Sequence, residues 1–383
     1  MRITLITETY APQVNGVSRT LGQLVRHMTE AGDTMQVVHP DYGVPSDQAE
    51  HVTMSSVSLP WYKDVRLPVP PFGKVKRAID AFQPDLVHIA TEATLGLSML
   101  LHCRSRGYPV VSSFHTNWDH YSEHYRIGFA RGIIWRYLKW FHDRMIETYV
   151  PSRPTIADLE KLGFRNLVLW PRGVDGELFH PDRSGRETVR QALGFTPEDI
   201  VVGHVSRLAP EKNIDYLAAA LSIVAEARPN SRLLFVGDGP AKQGLEAKMG
   251  PHAKFAGYRS GGDLADHYAA SDIFAFASVT ETFGNVVLEA MASGLPVVAI
   301  RAGGVGDIVI SGSNGLLMEP GDPPAKFADA VIQIIDDPSL RRELAESARS
   351  YAISQTWAAI MGGLRDRYRA IVEKADATTL VSV

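Results

Sequence analysis

Short apolar runs alternate along this chain with stretches whose apolar positions recur at helical spacing, the pattern of parallel β–α–β units. The first half reads as strands RITLIT, MQVVHP, DLVHIA, PVVSSFH, ETYVPS and NLVLW. Between them lie helical segments such as SRTLGQLVRHMTEAG, KVKRAIDAF and TIADLEKLG, and one aromatic helical stretch before ETYVPS. The run PRGVDGELFHPDRSG then breaks the pattern with Pro, Gly and charge, as an inter-domain linker does. At Asp199 the alternation restarts with strands IVVGHVSR, SRLLFVGDG, AKFAGY, DIFAFAS and PVVAI, and beyond Pro324 it reads as helix with no further strand. The expectation is an α/β protein of two Rossmann-like, doubly wound domains. They cover 1–172 and 199–356, with 173–198 as the linker region and a central ligand cleft between the carboxyl ends of the strands.

Composition narrows the function only by exclusion. A chain of 383 residues can bury two cores, and its 45% hydrophobic content is that of an ordinary globular protein. A net charge of −4 offers no polycationic surface, so nucleic acid is not an expected partner. Cys103 is the single cysteine, which rules out an intrachain disulfide. No Asp-x-Asp motif and no Cys/His cluster is present, so neither a metal nor another cofactor is implied. The opening residues Met1–Ile6 read as a strand and no apolar run is long enough to span a bilayer, so a cytoplasmic location is expected.

Four stretches carry candidate chemistry. In Thr280–Glu289 a strand gives way to a loop and then to a helix beginning near Asn285, whose N–H groups and dipole suit a phosphate. Glu281 lies in the loop and Glu289 one turn into the helix, so the two carboxylates can hold two separate polyols. Solvated helix-end carboxylates fit the same spacing. Arg207 and Lys212 flank the loop after the first strand of the second half, where two cations can grip a diphosphate or simply border a turn. Gly16, in Asn15–Arg19, permits close backbone approach to a ligand without forming a dinucleotide fingerprint. His115 ends a strand at the cleft side, a position open equally to a structural histidine.

Together these residues resemble glycosyltransferase family 4, retaining enzymes of the GT-B fold, over essentially the whole chain. The resemblance rests on the Gly16 loop, the Arg207/Lys212 pair, the E-x7-E motif Glu281–Glu289 and Gly303-Gly304, in that order along the chain. It implies a nucleotide-diphosphate sugar, GDP-mannose or a UDP-hexose, as donor and partner. Arg207, Lys212 and Gly16 would meet the diphosphate, Glu289 the ribose, and Tyr258 the base. Glu281 with Phe283, Gly284, Asn285 and Val286 would meet the hexose, with His115 beside the reacting sugar. His115, Arg207, Lys212 and Glu281 are the catalytic candidates. It also implies that a C-terminal helix, about 357–383, packs back on the first domain. Asp307, behind Gly306, stands where the family carries Glu after the double glycine.

The acceptor belongs to the first domain, where Trp118 to Tyr149 interleaves aromatic residues with Arg126, Arg131, Arg136, Lys139 and Arg144. A basic aromatic segment suits an anionic membrane surface, and equally a core helix with cations reaching to solvent. This stretch and RGVDGELFHP look most like the glycolipid-forming mannosyl-, glucosyl- and sulfoquinovosyl-transferases. A lipid or lipid-linked acceptor, peripheral attachment to the inner face of the membrane, and contacts from Trp118, Arg131, Arg136, Lys139 and Arg172 are therefore expected. A soluble-acceptor transferase, a nucleotide-sugar epimerase and a non-enzymatic sugar-binding protein are the alternatives. The sequence leaves the oligomeric state open.

Overall fold

A computed structural model describes residues 1–13, 15–42, 47–59, 62–115 and 131–381. The chain divides into two compact units, Met1–Arg172 with Trp357–Val383, and Gly173–Thr356.

The first unit holds β1 (Arg2–Ile6), β2 (Thr34–Pro40), β3 (Glu50–Met54), β4 (Ser56–Leu59), β5 (Tyr62–Pro68), β6 (Leu86–Ile89), β7 (Val110–Ser113), β8 (Thr148–Val150) and β9 (Leu167–Leu169). Seven of these form one parallel sheet in the order β3-β2-β1-β6-β7-β8-β9, and β4 and β5 make an antiparallel hairpin. Helices cover both faces of the sheet, which is why its inner strands are largely apolar runs, while the edge strand β3 is more polar. The helix Gly16–Glu30 shows how the sequence sets this up. Asn15 caps it, its side chain accepting from the Ser18 amide at 2.8 Å, and Leu21, Leu24, Val25 and Met28 fall on one buried face. That face shares a core with Trp357, Met361, Leu364 and Tyr368 of the helix Trp357–Val381. An ion pair from Arg365 to Asp33, at 2.6 Å, fastens the same helix.

The second unit holds β10 (Ile200–Val205), β11 (Ser231–Val236), β12 (Ala253–Gly257), β13 (Ile273–Phe276), β14 (Val297–Ile300) and β15 (Gly315–Met318), parallel in the order β12-β11-β10-β13-β14-β15. In each unit the chain works outward in one direction from its first strand and then returns to work outward in the other. The reversal lies between β1 and β6 in one sheet and between β10 and β13 in the other. Crossover connections leave from opposite faces there, which opens a crevice at the carboxyl ends of those strands.

The parallel doubly wound sheets are those the alternation predicts. Four strands escape it: β3 and the β4–β5 hairpin are too polar to stand out, and β15 (GLLM) is a short run behind a turn. The segment 173–198 is corrected from linker to part of the second unit. It carries the helix Gly185–Leu193, and Phe179 and Phe195 enter that unit's core. Its arginines, which read as linker charge, are internal ties. Arg186 meets Asp272 at 2.8 Å, while buried Arg190 bonds Asp272 at 3.1 Å and the carbonyls of Thr196 and Asp199 at 2.8 and 2.7 Å. Arg190→Ala should therefore cost the second unit about 3 kcal/mol in guanidinium unfolding, the loss expected when one partner of a buried ion pair is removed. A solvated linker arginine would cost under about 0.5 kcal/mol.

Candidate active site

The loops that follow β10, β13 and β14 converge because those strands are neighbours in the second sheet. After β10, the turn Pro210–Lys212 ends at Asn213 in the left-handed region (φ 56°), and Asn213 Nδ2 donates to the Ala277 carbonyl at 3.2 Å. The β10 loop is thereby tied to the end of β13. Lys212 Nζ then meets Glu281 Oε1 at 2.5 Å, and Ser278 Oγ donates to the same oxygen at 2.8 Å. Arg207 is exposed and pairs with Glu211 one turn on.

The β14 loop supports the β13 loop from beneath. Gly303 has φ 48°, and a Cβ there would stand 1.9 Å from the Glu281 carbonyl. A Cβ on Gly304 would stand 2.3 Å from Phe283 Cα, and the Gly304 amide bonds the Glu281 carbonyl at 3.2 Å. Only a double glycine lets Glu281–Phe283 lie this close. Gly284 (φ 101°) turns the chain into the helix Asn285–Ala292, whose first turn leaves main-chain N–H groups without helical partners. Asn285 Oδ1 is buried there with no hydrogen-bond partner.

Glu289 is buried in that helix and accepts from Tyr268 Oη at 3.1 Å, while the same hydroxyl lies 3.2 Å from the Val286 carbonyl. Phe283 is buried in the core, Tyr258 stands exposed after β12, and Asp307 sits in the short helix Val305–Ile308 behind the double glycine. Tyr268 escaped sequence reasoning, since nothing local marks it as the partner of a residue 21 positions on. His204 escaped it too. This buried ring bonds the Ala275 carbonyl at 2.9 Å and Ser206 Oγ at 2.7 Å, bracing the residue before Arg207. Burial lowers its pKa to about 4, so it is neutral.

In the first unit, Gly16 begins its helix in an exposed position. His115 follows β7 and Arg172 follows β9, and the two touch, Arg172 donating to His115 Nδ1 at 3.2 Å. His115 Nε2 is 2.7 Å from Ser113 Oγ, so both ring nitrogens are engaged. Burial and the Arg172 charge hold its pKa well below the usual value. Glu8, after β1, is a further residue the sequence did not flag. Burial raises its pKa to about 7 against a hydrogen bond from the Leu95 amide, with Glu92 adding to the rise.

The described part of the aromatic stretch, from residue 131 on, packs toward the core. In the helix Arg131–His142, Leu138 and Phe141 are buried, Trp135 packs edge-on to Phe164, and Tyr137 and Trp140 pack against a core cluster. The helical spacing that made the segment amphipathic turns these rings inward, so they do not form an outward aromatic face. Arg136 and Ile133 are exposed, Arg144 stacks on Trp140 at 4.1 Å, and Lys139 is paired with Asp143. Trp118 and the side chain of Arg131 lie outside the described residues. Among the described residues no helix is long and apolar enough to cross a membrane.

Paired Rossmann-like sheets, with cations, carboxylates and a helix start gathered at a switch point, are the build of a GT-B glycosyltransferase. Comparison with known proteins agrees. Residues 14–178 match the family described as Glycosyltransferase Family 4, and residues 185–351 match Glycosyl transferases group 1. A GDP-mannose-dependent alpha-mannosyltransferase of Mycobacterium tuberculosis is 33% identical over 97% of each chain. Sulfoquinovosyl transferase SQD2 of Arabidopsis thaliana is 33% identical over 94% of this chain and 71% of its own. An alpha-monoglucosyldiacylglycerol synthase of Streptococcus pneumoniae is 28% identical over 78% and 71%. Among solved structures, Anabaena HepE in complex with UDP aligns with a TM-score of 0.78, at 22% identity, over 97% of this chain and 100% of that one. The chain belongs to glycosyltransferase family 4. It is a glycosyltransferase, which sets aside the epimerase and binding-protein alternatives.

The double glycine gives the sharpest local test. Gly303→Ala should leave both sheets folded by circular dichroism yet displace Glu281 from Lys212. Calorimetry should then show nucleoside-diphosphate affinity at least tenfold weaker, and unchanged affinity would mean the close approach is not needed.

Proposed function

We propose that this enzyme transfers a hexose from GDP-mannose or a UDP-hexose to a lipid or lipid-linked acceptor, with retention at the anomeric carbon. The observation that carries the reading is the Lys212–Glu281 contact, which joins the cationic loop after β10 to the carboxylate loop after β13 at the switch point. In the resting site Lys212 is pre-paired, so its ammonium is held in place before any phosphate arrives. An incoming diphosphate takes up Lys212 and Arg207 together with the amides at the Asn285 helix start, and Glu281 is released toward the hexose hydroxyls. Glu289, oriented by Tyr268, receives the ribose.

Negative charge grows on the diphosphate as the glycosidic bond breaks. Arg207, Lys212 and the helix dipole stabilise that charge, which favours the transition state over the bound donor. The departing phosphate oxygen can accept the acceptor's proton on the same face, which gives retention without a carboxylate nucleophile. His115, neutral and engaged at both nitrogens, shapes this chemistry rather than supplying a proton. The M. tuberculosis relative's use of GDP-mannose and the S. pneumoniae relative's glucosyldiacylglycerol product support the donor and acceptor classes. The inward packing of Trp135, Tyr137 and Trp140 favours the second reading, a soluble acceptor, because it removes aromatic anchors from the surface.

Arg207→Ala and Lys212→Ala should each lower turnover by roughly two orders of magnitude with folding unchanged, the usual cost of losing a transition-state charge contact. Wild-type turnover in either would overturn the site.

The acceptor reading is tested on vesicles. Arg136 and Arg144 remain exposed, and each cation near an anionic surface contributes about 1 kcal/mol. The protein should sediment with anionic liposomes at low salt and release as salt rises. Arg136→Ser with Arg144→Ser should weaken that binding about tenfold or more and leave donor affinity intact. Indifference of the wild type to anionic vesicles would put the soluble acceptor ahead.

A further inference from the structure

Arg172 is a buried cation without a counter-charge. It is 5% exposed, and its hydrogen-bond partners are the Trp170 carbonyl at 2.7 Å, the Pro171 carbonyl at 3.4 Å and the His115 ring. Its guanidinium also lies 4.8 Å from the Trp170 ring centre. No carboxylate among the described residues pairs with it. Every other buried arginine or lysine named above has one, Arg190 on Asp272 being the nearest parallel.

The hydrogen bonds around it keep the charge from being shared. Arg172 can only donate, so His115 Nδ1 accepts and the neutral ring carries its proton on Nε2. That Nε2–H donates to Ser113 Oγ at 2.7 Å. The Ser113 hydroxyl then donates to His88 Nε2 at 2.8 Å, and His88 Nδ1–H donates to Tyr368 Oη at 2.5 Å. The polarity runs one way, from the guanidinium at the sheet's carboxyl edge to a tyrosine of the C-terminal helix. Burial keeps both rings neutral, with the His88 pKa lowered to about 3. The result is one full positive charge in a setting of neutral groups, above the ends of β7 and β9 with only β8 between them.

Leaving a charge buried and unpaired costs several kcal/mol, which a purely structural site would avoid by using an apolar residue. We propose that Arg172 is a receiving site for an oxyanion of a substrate, in the form of a phosphate group, with the His115–Ser113–His88–Tyr368 chain holding His115 neutral beside it. The phosphate is that of an anionic acceptor headgroup. This rests on the transferase reading above, but its test needs no turnover.

The test uses the full chain carrying Arg207→Ala and Lys212→Ala, which removes the second unit's cations. Into this parent go Arg172→Met, Arg172→Gln and Arg172→Lys, and each protein is heated with glycerol 3-phosphate, with GDP or with UDP at constant ionic strength. The parent should be stabilised by glycerol 3-phosphate. The Met and Gln variants should lose the shift, corresponding to at least tenfold weaker binding, and the Lys variant should keep most of it. Unliganded Met variant should melt no lower than the parent, since an unpaired buried charge has been removed. Loss of the glycerol 3-phosphate shift supports the acceptor headgroup, and loss confined to the nucleotides would overturn it. If the Met variant fails to fold, the Gln variant carries the same reading. A parent indifferent to all three phosphates, or neutral variants that respond as the parent does, would overturn the proposal. Failure of the transferase site would show instead as normal turnover in Arg207→Ala and Lys212→Ala made in the wild-type chain.

Discussion

A parallel sheet has to be covered on both faces, because its crossover helices pack there and its strands carry no polar side. What remains open is the edge formed by the strand ends. Both sheets here meet that constraint with the same device, a reversal of strand order that leaves a crevice between the first strand and the strand added on its other side. Everything chemical in the chain is arranged along those edges. Arg207 and Lys212 follow β10, Glu281 follows β13, and the double glycine follows β14, while Glu8, His115 and Arg172 follow β1, β7 and β9. Residues separated by about 70 positions come into contact because their strands are neighbours, as Lys212 and Glu281 do.

Within that frame the precision of the second unit's site comes from backbone packing more than from charge. Gly303 and Gly304 let the main chain of Glu281–Phe283 rest on the β14 loop at distances that no side chain would allow. The carboxylate is then placed by main-chain contact before it forms any ion pair. The pair itself, partly shielded, adds little net stability because desolvating both ions offsets their attraction. Its role is to hold Lys212 aimed. In the proposed reaction a phosphate displaces Glu281 without the lysine having to find a new rotamer.

The sequence made the parallel doubly wound sheets legible, because long apolar runs at regular spacing have few other uses. It made the E-x7-E motif and the glycine pair legible because their spacing is local. Non-local partnerships were not legible. Tyr268 meets Glu289 from another helix, and His204 braces the Arg207 loop from inside a strand that reads as core. Composition misled where charge was structural. The Pro, Gly and charge of PRGVDGELFHPDRSG made 173–198 look like a linker, yet Arg183 in that run, and Arg186 and Arg190 after it, pair with Asp266 or Asp272. The aromatic segment left a core face and an outward face equally open, and its described rings, Trp135, Tyr137, Trp140 and Phe141, pack into the core.

The contrast between these arginines gives the charge pattern its meaning. Arg190 is buried and fully answered by a carboxylate and main-chain carbonyls, so it stabilises the unit it sits in. Arg172 is as deeply buried and answered only by dipoles, and its pKa is pulled down to about 9 by that burial alone. A guanidinium so placed costs the fold stability, and the oxyanion contact proposed above would offset that cost. The same logic, in milder form, separates Lys212, which waits on Glu281, from Arg207, which waits in solvent beside Glu211. Electrostatic catalysis depends on charges that are fixed before the reaction and under-neutralised until it begins. In both units the sequence supplies cations at the strand ends, Arg172 without a carboxylate partner among the described residues, and Lys212 and Arg207 each beside one, Glu281 and Glu211.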